Sequence, residues 1–126
     1  MSTRPADPGH APPRSPRMSL ARVAREVVAQ LPGAALSAGS RWVTADGPET
    51  IRGLLVSVQP DGRYELELHL IVAWPPPPLT LLAGDLRRRV HGAAQSAGLE
   101  AQLGQMQIYF DAVLGPDDPP AGGEPA

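Results

Sequence analysis

The chain contains no cysteine and no lysine. Without cysteine there are no disulfides, no thiolate metal ligands and no cysteine nucleophile, and every cation is an arginine. A surplus of positive charge is missing too: the formal net charge is −2, which excludes the basic field expected of a nucleic-acid binder. Long apolar runs are absent. The longest, Leu70–Trp74, is far too short to span a bilayer, and the opening MSTRPADPGHAPPRSPR has no apolar stretch of the kind that directs secretion. These absences predict a cytoplasmic protein with no direct membrane insertion, one that reaches a membrane only through a partner. Catalytic signatures are missing as well. No serine or threonine has a readable His and acid partner, there is no Gly-rich phosphate loop, and no HxxxH or carboxylate pair shares a helix face. The residues therefore predict a protein that is not an enzyme and has no cofactor or metal.

What the chain does have is proline, 16 residues of it, unevenly placed. Residues 1–18 hold five prolines and, after the initiator, Met18 as the one large apolar side chain; residues 115–126 hold four prolines and three acids. Neither end carries enough apolar surface to offset the entropy of ordering it, so both read as disordered tails. Residues 19–114 remain as one domain.

Within it, Ser19 is placed to cap a helix in which Leu20, Val23, Ala24, Val27, Val28 and Leu31 form an apolar stripe that Pro32-Gly33 ends. Residues 34–50 are hard to read; Arg41–Ala45 suits a short strand, Asp46-Gly47-Pro48 a turn, and Trp42 a place at the core edge. Pro60-Asp61-Gly62 suits a three-residue hairpin loop closing on Gln59 and Arg63. That register sets Val58 opposite Tyr64, Val56 opposite Leu66 and Leu54 opposite Leu68, on a face that continues through Leu70, Val72 and Trp74. After four prolines a second helix is expected from about Thr80 to Ala97, with Gly98 as its cap and Leu99 folding back. A last strand alternates Met106, Ile108, Phe110 and Ala112 against Gln105, Gln107, Tyr109 and Asp111. The order helix–strand–strand–helix–strand predicts an α+β fold: two helices on one face of a three-stranded sheet, the last strand parallel to the second and the first in the centre.

Two groups of side chains stand out as an interaction patch. Arg87-Arg88-Arg89 on the second helix is suited to phosphate, anionic lipid or an acidic protein surface, or is simply a solvated flank beside Asp85. Glu65, Glu67 and His69 alternate on one strand face, where they either approach a divalent ion or face solvent, and Asp111 falls on the matching face of the last strand. Pro75–Pro78 reads as a stiff corner or a short polyproline ligand.

From about Leu20 to Leu114 the chain resembles the alkaline shock protein family of bacterial envelope-stress-response proteins. The resemblance rests on the Val23, Ala24, Val27, Val28 helix with Gly33 after it and on the hairpin ending in Leu68–Val72. It rests too on the Leu79–Ala97 helix with its Ala97-Gly98-Leu99 close, and on the strand Met106–Phe110. Where that family often has an aromatic-Gly pair, this chain has Trp74-Pro75. The resemblance implies a non-enzymatic cytoplasmic protein that self-associates and is held at the inner face of the membrane by a small membrane-anchor protein. Two other readings share the element order. A KH-like nucleic-acid module would need a Gly-x-x-Gly loop between helices, which is missing here; a ring-building assembly domain is normally tied to a transmembrane segment.

Overall fold

The computed structural model describes residues 15–115; the tail expectations for residues 1–14 and 116–126 lie outside the described residues. The elements are α1 (Pro16–Ala29), β1 (Ala34–Leu36), β2 (Val43–Asp46), β3 (Glu49–Arg52), β4 (Leu54–Val58), β5 (Tyr64–Ala73), α2 (Leu79–Ser96), a 3-10 turn (Glu100–Gln102) and β6 (Leu103–Leu114). The fold is α+β, with two helices and a mixed sheet.

Helix α1 starts one turn earlier than its sequence suggests. Ser15, not Ser19, is the cap: its hydroxyl accepts from the Met18 amide at 3.2 Å, and Pro16 occupies the first helical position. Proline there removes an amide that would have no partner anyway and pre-sets φ, so a residue that argues for disorder by composition argues for a helix start by position. Met18 is accordingly fully buried. Ser15→Ala should cost about 1 kcal/mol of unfolding free energy, whereas Ser19→Ala should change it by less than about 0.5 kcal/mol. Urea titration of the two variants checks this, and equal losses would move the cap back to Ser19.

The β4–β5 hairpin forms in the register that the turn chemistry dictates, with Val58 opposite Tyr64, Val56 opposite Leu66 and Leu54 opposite Leu68. Gln59 N–H donates to Arg63 C=O at 2.7 Å, and Gly62 sits at φ +87°. The Arg63 amide also donates to Asp61 Oδ1, which holds that carboxyl below its usual range. Helix α2 closes as a Schellman motif: Leu99 N–H donates to Ala94 C=O, Gly98 N–H to Gln95 C=O, and Gly98 has φ +76°.

The main sheet has four strands rather than three, and its centre is β5, not the first hairpin strand. Ten residues make β5 long enough to take two short partners end to end on one side. There β4 pairs antiparallel with Tyr64–Leu68, and β1 pairs antiparallel with residues 70–72. β6 runs parallel to β5 on the other side. Residues 38–52 are therefore an excursion from what is otherwise one interrupted strand. At the interruption His69 N–H donates to Gly53 C=O and His69 C=O accepts from Ser37 N–H, both at 2.8 Å. The excursion carries the β2–β3 hairpin, whose two-residue Gly47-Pro48 loop has Gly47 at φ +62°, the type II′ pattern.

That hairpin leans on α1, with Arg22 Nη1 at 2.9 Å from Glu49, and on β4 through Thr44. The Thr44 hydroxyl donates to Leu54 C=O at 2.8 Å and accepts from Val56 N–H at 3.0 Å, so one side chain serves two outward groups on the free side of β4. The core lies between the helices and one sheet face. Leu20, Ala24 and Val28 of α1 and Leu86, Val90 and Ala94 of α2 bury against Leu54, Val56, Leu66, Leu68 and Leu70. Trp74 does not continue this face. β5 ends at Ala73, and although the Trp74 amide still donates to Leu114 C=O, the indole is 62% exposed. Among the described residues no helix is long and apolar enough to cross a membrane.

Candidate functional site

The sheet face turned away from the helices carries a polar cluster built on period-two alternation. Glu65, Glu67 and His69 project from β5, and Gln107, Tyr109 and Asp111 from β6; the parallel register sets Glu67 beside Gln107 and His69 beside Tyr109. Although no helix among the described residues covers this face, His69 is only 7% exposed. Its ring is sandwiched between Tyr109 (centroids 4.9 Å apart, planes at 15°) and Trp42 (5.9 Å, 21°). Trp42 reaches it because the excursion folds back, its carbonyl accepting from Gly53 N–H. The indole thus packs on the polar face rather than at the edge of the main core, and Arg41 lies 5.2 Å from its ring centre.

Both nitrogens of His69 meet carboxylates: Nε2 lies 2.7 Å from Glu67 Oε2 and Nδ1 3.1 Å from Asp111 Oδ1. A neutral imidazole donates to one of them at a time; the doubly protonated ring donates to both. Asp111 is aimed there by a bulge, since Phe110 pairs with Leu70 while Ala112 pairs with Ile71, leaving Asp111 as the extra residue. A second chain of bonds runs alongside: Tyr109 Oη–H donates to Gln107 Oε1 at 2.5 Å, and Gln107 Nε2 donates to Glu65 Oε2 at 2.6 Å.

The side chains of the Glu65–Glu67–His69 row bond to one another and to β6 instead of standing free in solvent. Glu67 and Asp111 lie at opposite nitrogens of one ring, and Glu65 is engaged with Gln107. The carboxylates do not converge with a free ring nitrogen on a common point, and no metal-holding cluster is found among the described residues. Among the described residues the two hydrogen-bond partners of the His69 ring are these carboxylates, and no serine or threonine hydroxyl reaches it. The cluster forms an acidic, hydrogen-bonded tile on the open sheet face.

Arg87, Arg88 and Arg89 lie on α2, behind the sheet from this tile, and the structure does not bring the two groups together within one molecule. Asp85 pairs with Arg89 at 2.8 Å and with Arg88 at 3.5 Å. Arg87 instead lines an open groove of about 350 Å³ between α2 and β6, with Leu79, Ala83, Ile108 and Phe110. A groove of about 510 Å³ between α1 and the β1–β3 region is walled by Val28, Leu36 and Ile51, with Arg25 and Arg52 at its rim, and assembles no acid–base pair.

Sequence reasoning identified the alternating acidic face but not the role of Trp42, whose arrival depends on the length of the excursion. The only local signal for it is the Gly53 that ends that excursion. No protein-family model, curated protein or solved structure matches the chain.

Proposed function

We propose that this chain is a non-enzymatic interaction domain that works by associating with copies of itself and with a protein partner. In the manner of the alkaline shock proteins it resembles, that partner is a small membrane anchor and the setting is the inner face of a membrane during envelope stress. The observation that supports the reading is the segregation of charge: Glu65, Glu67 and Asp111 on the open sheet face, Arg87–Arg89 on the helix behind it. Opposite charges on opposite sides of one domain favour head-to-tail contact, which either closes into a ring or runs on as a filament.

Each exposed pair adds only about 0.2–1 kcal/mol, so the contact is weak and sensitive to salt. An acidic partner segment would use the same arginines. The open face is acidic where a nucleic-acid module would be basic, which weighs against the KH-like alternative. Sedimentation of the wild type and of an Arg87→Ala/Arg88→Ala/Arg89→Ala variant at low and high salt, with partner pull-down in parallel, tests the reading. The variant should lose salt-sensitive assembly or partner capture; if it retains both, the arginines are only a solvated helix flank.

A further inference from the structure

We infer that β6 is a self-association edge, pairing antiparallel with β6 of a second copy about a two-fold axis through Ile108. This names one contact of the self-association proposed above, and it uses a different surface from the charged faces.

The two edges of the sheet are treated differently. On the β4 edge the Thr44 hydroxyl serves Leu54 C=O and Val56 N–H, while β6 pairs with β5 alone among the described residues. Exposed edges are ordinarily protected by proline, lysine, short length or bulges, because unpaired amides and carbonyls recruit other chains. β6 is 12 residues long, contains no proline and no cation, and has a single charge, Asp111. Its two bulges, between Leu103 and Met106 and between Phe110 and Ala112, leave a regular stretch, Met106–Phe110, in register with Leu66–Leu70. The middle of that stretch is Ile108.

Antiparallel pairing about Ile108 is self-complementary. On the helix side Met106 meets the second copy's Phe110, and Ile108 meets itself. All three are partly buried in the monomer, and Ile108 and Phe110 form one wall of the α2–β6 groove. On the open side Gln107 meets the second copy's Tyr109. No like charges are opposed. The axis stands perpendicular to the sheet, so both acidic tiles lie on one side of the pair and both arginine runs on the other. The pair would be the unit that stacks through the charged faces.

Because the chain has no cysteine, single cysteines report the register directly. Facing residues of an antiparallel pair lie about 4.5–5.5 Å apart at Cα, within the range a disulfide spans. Under mild oxidation Ile108→Cys should shift from monomer to covalent dimer, with circular dichroism unchanged. Met106→Cys and Phe110→Cys should each stay monomeric alone and cross-link when mixed. The cross-link should persist in the triple-arginine variant and at high salt, which separates it from head-to-tail contact. Failure of Ile108→Cys to cross-link overturns the proposal. So does self-linking of Met106→Cys as readily as of Ile108→Cys, or loss of the dimer at high salt.

Discussion

Gly53→Ala should lower the unfolding free energy by about 2–5 kcal/mol and the melting temperature by roughly 10–30 °C. Two costs combine at this position. Gly53 sits at φ +86°, where a side chain forces the β-carbon against its own carbonyl, and that cost is about 1–2 kcal/mol. A β-carbon here would also lie 2.8 Å from Ser37 N and 2.9 Å from Ser37 O. Those atoms are backbone, and the Ser37 amide is committed to His69 C=O, so the clash cannot be relieved by a rotamer change. Overpacking of this kind adds about 1–3 kcal/mol. Gly47→Ala is the control: Gly47 also has positive φ, +62°, but a β-carbon added there would meet no atom within 4 Å. It should lose about 1–2 kcal/mol, the conformational cost alone. Equal losses in the two variants, by urea titration, would show that the close approach to Ser37 contributes nothing.

Gly53 also marks where sequence reading stopped working. The β4–β5 hairpin was legible because loop chemistry and alternation select one register, and the end of α2 because Gly98-Leu99 follows a helical stripe. β1 gave no signal: Ala34-Ala35-Leu36 is too short to show a period, and it is a strand because β5 extends beyond β4 and offers it an edge. β3 was hidden for a different reason. Its inward residue Ile51 faces Thr44, and a polar residue at a buried position is invisible to hydropathy. The centre of the sheet follows from the length of β5, which placing the first hairpin strand there left out of account. At the candidate site, period two put Glu65, Glu67 and His69 on one face and Asp111 on its neighbour. Which nitrogen of His69 each carboxylate takes depends on the bulge at Asp111, a long-range register effect with no local marker. The arginine run was plain in the sequence, and the pairing of Arg88 and Arg89 with Asp85 follows helical spacing.

Thr44→Val should destabilise the domain by about 2–6 kcal/mol, although it replaces a hydroxyl by a methyl of similar size. Thr44 is 1% exposed, and its hydroxyl stands in for a neighbouring strand by serving Leu54 C=O and Val56 N–H together. Valine fills the same space but leaves both backbone groups buried and unpaired, at about 1–3 kcal/mol each. Thr44→Ser keeps the hydroxyl and loses one methyl, so it should cost about 1 kcal/mol. The predicted order of stability is wild type, then serine, then valine, whereas burial of apolar surface alone would put valine first and serine last. Hydrogen exchange gives a local readout, since the Val56 amide should lose protection in the valine variant and keep it in the serine variant. The valine variant should also associate in a way that high salt does not suppress, because it gives the sheet a second unprotected edge to set beside β6. A valine variant as stable as the serine variant, with Val56 still protected, would mean that Leu54 C=O and Val56 N–H are served by something other than this hydroxyl.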